Sequence, residues 1–257
     1  MNEIIDYEEK EEFETKKELF WKKSEAIETN EEVRERLEAL GVEKINLEGL
    51  DLRFQKEVAE SLEAMYEEFP EINGYITKIT ATNMRGGTLA CTGPYMNENG
   101  YQGAEIRFNR EFFSKRNYGL KIVDMDTDVN WRGERWLAGL GSQGVIDHEI
   151  AHVLQLKLNA ESAGIEIGEK EAEKYRKLQE LYDRNSTIVS ICYDSLGEAG
   201  VSPKDIGREL SIYGATGFGE AFAEAISEVQ TRKHPRAYAT TIYNNYRNLI
   251  SEKKEVA

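Results

Sequence analysis

The chain is short of cysteine, proline, histidine and positive charge, and it has no long apolar run. Two cysteines, Cys91 and Cys192, cannot build a disulfide framework and do not form a C-x-x-C pair, which fits a reducing compartment and leaves no cysteine-based zinc cluster. No apolar stretch approaches membrane-spanning length, and the opening "MNEIIDYEEKEEFE" is acidic where an export signal is basic and then apolar. A soluble, cytoplasmic protein is expected. The 33 Lys and Arg residues stand against 48 Asp and Glu, a formal charge of −15 that repels phosphate backbones and anionic lipid. Neither nucleic acid nor a membrane is therefore expected as a partner.

What is present belongs to a folded chain. Apolar residues make up 40% of the 257 positions and prolines only four, enough for a substantial core in one domain or in a domain with an extension. Residues 1–50 are charge-rich and predict a helical acidic extension, within which "TNEEVRERLEALG" has a capping box, Thr29 with Glu32, and a stop at Gly41. Residues 51–257 would form the main domain. It begins with a helix carrying Phe54, Val58, Leu62, Met65 and Phe69 on one face and ending near Pro70. Between residues 75 and 109 the period shortens: "YITKITAT", "GTLACTGPYM" and "GAEIRFN" predict a small, mostly antiparallel sheet. Helical patterns return from about residue 141. They include a long charged helix from about 168 to 186, a short one capped by Ser202 with Pro203 in its first position, and two more near the end of the chain. The layout is α+β.

Two of the three histidines lie in "GVIDHEIAHVLQ", four positions apart, with Glu149 next to the first. On a helix, His148 and His152 project from one face a turn apart and can offer ring nitrogens to one ion. Glu149 then stands where a carboxylate can deprotonate a metal-bound water, the logic of H-E-x-x-H. The flanking Val145, Ile146, Ile150, Ala151, Val153 and Leu154 are those of a buried helix, interrupted by Asp147. Two histidines hydrogen-bonded inside a core would be the bland alternative.

A catalytic zinc needs a third protein ligand and an open position for water. Gln155 and Leu158 occupy the places where a metzincin has glycine and its third histidine. His234, before Pro235 and among cations, reads as an exposed helix end. A glutamate is left, and two segments compete. Glu171 and Glu173 fall about twenty residues after His152, but alternating charges there suit a solvated face. Glu220 and Glu224 lie one turn apart on a helix whose other face carries Phe222, Ile226 and Val229.

The combination of "HEIAH" with "SIYGATGFGEAFAEA" resembles the glutamate-type zincins. These include the catalytic domain of anthrax lethal factor, a Pro-Pro endopeptidase group, and phage or mobile-element proteins of similar size. In lethal factor a tyrosine precedes the metal-binding glutamate by seven positions, the interval between Tyr213 and Glu220. The resemblance is specific over roughly residues 145–228. Ala221 and Ile226 depart from it, both where lethal factor has an aromatic residue.

The resemblance implies a zincin-like fold with the sheet packed on the HExxH helix, and one zinc per chain held by His148, His152 and Glu220. It makes Glu149 the general base, Glu224 the acceptor for the outer N–H of a liganding histidine, and Tyr213 a donor to the oxyanion. It implies a metalloendopeptidase acting on a peptide or protein, with "GAEIRFN", residues 103 to 109, as the edge strand along which an extended substrate aligns. Two other functions use the same residues: a non-catalytic zincin-fold module, for instance in phage assembly, and a regulatory peptidase that removes a repressor. Trp131 and Trp136, in "NWRGERWLAGLG", read as a cleft-lining loop or as a plug under the sheet, and both stay outside the expected site. The glycines of "YGATGFG" suit a hinge or a simple turn equally well.

Overall fold

The computed structural model describes residues 29–118, 130, 133–181 and 184–256. Trp131 and the first 28 residues of the expected extension lie outside these. The fold is α+β, with nine α-helices and one four-stranded mixed sheet among the described residues. No described helix is long and apolar enough to cross a membrane.

Helix α1 (Asn30–Ala39) starts at Thr29, whose hydroxyl accepts from the backbone N–H of Glu32 while the Glu32 carboxylate accepts from that of Thr29. This is the expected capping box. Val33 and Leu37, on its inner face, join the core. Strand β1 (Lys44–Asn46) leads into α2 (Leu52–Glu68), and β2 (Ile76–Thr82) returns parallel to β1 as a βαβ crossover. From Asn30 onwards, the segment expected as an extension thus contributes a helix to the core and a strand to the sheet.

Strand β3 (Ala90–Asn97) and β4 (Gly100–Asn109) form the only hairpin among the described strands, and the order across the sheet is β1-β2-β4-β3. Two of the three pairings are parallel, β1 with β2 and β2 with β4, which corrects the expectation of a mostly antiparallel sheet. Period-2 alternation marks a strand and its buried face but carries no direction, so the short turns between these runs misled. The edge also moves. β4, which includes residues 103–109, lies between β2 and β3, and among the described strands β1 and β3 are the edges. Pro94 within β3 has no N–H to give to a second neighbour, which suits that edge.

Helix α3 (Arg110–Phe113) follows β4, and α4 (Gly141–Ala163) runs through the middle of the molecule. Of its 23 residues 18 are buried, as a helix apolar on most sides requires. It packs on the sheet through β3 and β4 and on α2. At its start the Ser142 hydroxyl donates to the buried Glu57 of α2, and so does Tyr118. At its end Gly164 adopts φ +67 and closes the last turn with its N–H on Ala160 and Glu161 carbonyls.

The expected long charged helix is shorter, α5 (Ala172–Leu181). Residues 168 and 169 cannot be helical because their backbone groups bond to Tyr101 of β4 (2.7 and 2.8 Å). Helix α6 (Ser186–Ala199) is capped by Asn185. Pro203 does open a helical turn, a single 3-10 turn of Pro203–Asp205 leading to α7 (Ile206–Glu209), but the Ser202 side chain makes no cap bond. Helices α8 (Phe218–Thr231) and α9 (Ala237–Val256) complete the chain; α8 lies against α4, α6 and α9.

Candidate metal centre

The first two metal-ligand candidates share α4, and the third comes from α8, which crosses it. His148 Nε2 and His152 Nε2 are 3.1 Å apart, and Glu220 Oε2 lies 3.2 Å from each. Atoms held about 2.0–2.1 Å from one tetrahedral zinc stand roughly 3.3–3.4 Å from each other, so this triangle fits one such ion with a fourth position open. Among the described residues it is the one His, Cys, Asp and Glu group able to hold a metal. Glu171, just before α5, and Glu173, on it, are exposed and face Lys174 and Arg176, and His234 is exposed at the turn after α8. The structure brings none of these three to the cluster.

Each histidine is steadied from behind. Glu224 Oε1 lies 2.7 Å from His148 Nδ1, an approach off the axis of a ring N–H, and its other oxygen accepts the backbone N–H of Ala138. Gln155 Oε1 lies 3.1 Å from His152 Nδ1, which turns Nε2 toward the cluster. Gln155 was missed as a site residue, although its i,i+3 spacing from His152 on one helix face is a local signal. Gly219 explains how α8 comes so near: a Cβ there would meet Gln155 Nε2 at 3.0 Å.

The approach of α4 to the loop before it has a similar cause. A Cβ on Gly139 would collide with Ser227 Oγ and reach Gly144 Cα at 2.9 Å. The Ser227 hydroxyl donates to the Gly144 carbonyl (2.6 Å), and Arg232 Nε to the Ala138 carbonyl (2.7 Å). Farther along α8, the fully buried Glu228 pairs bidentately with Arg236 at 2.8 and 2.6 Å. Glu220, Glu224 and Glu228 therefore form one acidic stripe at i,i+4 spacing, each member with a partner.

Glu149 is buried, and its carboxylate faces the sheet. Thr92 Oγ1 on edge strand β3 is 2.8 Å from Glu149 Oε2 and 2.9 Å from its carbonyl oxygen. Thr92 is in register with Ile106 of β4 and shares its inward face, which points its hydroxyl at α4. Nothing local in the sequence announces a contact across 57 positions. Replacing Thr92 by Val keeps the shape and removes the donor; on the hydrolase role that the H-E-x-x-H resemblance implies, turnover is expected to fall about tenfold with metal content unchanged, and Thr92→Ser should restore it. Equal turnover in the Val variant would show that the hydroxyl does not steady Glu149.

Tyr213 is half-buried beside the cluster, its ring 5.6 Å from that of His148 and tilted by 35°. Burial and the three neighbouring carboxylates, Glu220, Glu149 and Glu224, push its phenol up to about 12, so it keeps its proton at neutral pH. Trp136 stacks on its outer side, with ring centroids 6.2 Å apart. The expected plug under the sheet is thus excluded for Trp136, which is 48% exposed. Of the "YGATGFG" glycines, Gly214 and Gly219 are held by packing against Leu210 and Gln155, which favours the turn over the hinge.

Charge in the cluster is coupled. Burial opposes a charged His148, but Glu220 and Glu224 outweigh it and push the ring up to about 10. Burial would raise Glu220, yet the two histidines hold it well below the usual carboxylate range. Burial raises Glu149 above its ordinary value. Without metal, the raised His148 contributes stability that is present in full below its unfolded value and is lost as pH rises through about 10. The depressed Glu220 contributes above its ordinary value of 4.5, and its share is lost as pH falls below that.

A metal needs the neutral ring, so zinc uptake at pH 7 is expected to release at least one proton and to strengthen with rising pH. Calorimetry in buffers of different ionisation enthalpy measures that release. Heats that do not change with buffer would show His148 already neutral.

No family model matches the chain, and no curated protein or solved structure is significantly similar to it.

Proposed function

We propose that this protein is a zinc-dependent metalloendopeptidase of the glutamate-zincin type. The observation that carries the reading is the triangle of His148, His152 and Glu220 ligand atoms, 3.1 to 3.2 Å on a side, with Glu149 buried on the same helix beside it. A bound zinc supplies a Lewis acid and a water with a pKa of about 7.

The chain's own residues supply the rest. Glu149, whose carboxyl burial makes a stronger base, takes a proton from the attacking water and passes it to the departing amide nitrogen. Tyr213, protonated up to about pH 12, donates its hydroxyl to the oxygen of the carbonyl under attack. The outer side of β3, which pairs with β4 alone among the described strands and is joined to Glu149 through Thr92, offers backbone groups to an extended peptide. The β3 edge takes the place of the expected 103–109 strand in that role.

The test is incubation of the zinc-loaded protein with a mixed peptide library and mass spectrometry of the new termini. Cleavage that stops on chelation and returns with zinc supports the reading. A zinc-loaded protein that cleaves nothing in a diverse library counts against it.

A further inference from the structure

Trp136 is one of three large apolar side chains that the described surface exposes, at 48%; the others, Ile167 and Tyr193, lie on the segment after α4 and on α6. Its place is held from several directions. The backbone N–H of Ile212 donates to the Arg135 carbonyl (2.8 Å) and that of Tyr213 to the Trp136 carbonyl (3.2 Å). The next residues, Leu137 and Ala138, are the ones that enter the core, and Ala138 is bound at both backbone groups by Glu224 and Arg232. The indole is therefore carried on a fixed stretch of backbone, tied to the same carboxylate that backs His148.

Three rings run outward from the cluster: His148, Tyr213 at 5.6 Å, and Trp136 at 6.2 Å beyond that, 26° from parallel with Tyr213. The indole stacks on Tyr213, and the residue stays 48% exposed. A rigid aromatic surface costs little conformational entropy on binding and favours flat or bulky apolar partners.

We infer that Trp136 forms the wall of a substrate subsite that takes a large apolar side chain of the peptide. The inference rests on the peptidase reading, since it places that side chain next to a backbone held at Tyr213 and the metal position. Trp136 is a specificity residue and takes no part in proton transfer.

The test uses binding in place of turnover. Glycine hydroxamate and phenylalanine hydroxamate share one zinc-chelating head and differ in the side chain, and calorimetry on zinc-loaded protein gives both affinities. The phenylalanine compound is expected to bind the native protein about tenfold tighter or more, given the 10–200-fold that apolar contacts in such sites supply. Trp136→Ala should bring the two compounds within about threefold of each other while glycine hydroxamate keeps its affinity, and Trp136→Phe should retain most of the preference.

Unchanged binding of glycine hydroxamate doubles as proof that the variant is folded and loaded. If glycine hydroxamate binds but the phenylalanine compound is no tighter, or if Trp136→Ala keeps the preference, the subsite is overturned and the metal site stands. If neither compound binds a protein shown to carry zinc, the open coordination position is absent, and the peptidase reading falls together with the subsite.

Discussion

Glu149→Gln should lower peptide hydrolysis by about 10²–10⁴-fold, the range expected when a general base is lost, while zinc stays at the native level. The amide matches the carboxylate in shape and can still accept from Thr92 Oγ1, 2.8 Å from Oε2 in the native protein. What it cannot do is take a proton. Because Glu149 is not among the three ligand atoms that converge, losing its charge should not release the metal. Turnover and elemental zinc measured on one preparation separate the two effects. Hydrolysis within tenfold of native, at full zinc, would remove Glu149 from the reaction.

The second large effect concerns the metal itself. Purified without a histidine tag, the protein should carry about one zinc per chain, and His148→Ala or Glu220→Ala should weaken zinc by about 10²–10⁴-fold. That range shares a binding free energy of roughly 10–16 kcal/mol among the ligands of a site. Glu224→Gln should cost less, about 10–100-fold, since it acts through the His148 ring. Glu171→Ala and Glu173→Ala should leave affinity unchanged, because both side chains are exposed, Glu171 just before α5 and Glu173 on it. Loss of zinc in these variants with retention in Glu220→Ala would move the third ligand and undo the proposed site. An inability of the native protein to hold zinc after reloading would leave the catalytic proposal without its metal.

The parts of the site that depend on helix geometry were legible in the amino-acid order. His148 and His152 share a face because residues four apart always do, and the apolar residues around them mark α4 as buried. Glu220 and Glu224 follow the same rule on α8. The capping box of Thr29 and Glu32, the end of α2 near Pro70, and the positions of β2, β3 and β4 are likewise set by local chemistry. Each is a short-range preference of backbone and side chain, readable within a turn or a strand.

Relations between distant segments were decided only by tertiary packing. Alternation showed which side of each strand is buried but not that β4 would insert between β2 and β3, because strand order follows from how whole faces pack on α4. That order puts Thr92 on the edge strand against Glu149, a partnership absent from either local pattern. The choice between Glu220 and the pair Glu171 and Glu173 was open by residue type, since all three are carboxylates in or beside helices. In space it is Glu220 that stands beside His148 and His152, and Gly139, Gly144 and Gly219, where a missing Cβ lets α4, α8 and the preceding loop approach closely, allow it. The order of residues shows which helices carry the polar groups. Close packing of those helices, a property of the whole fold, determined which of the groups face one another.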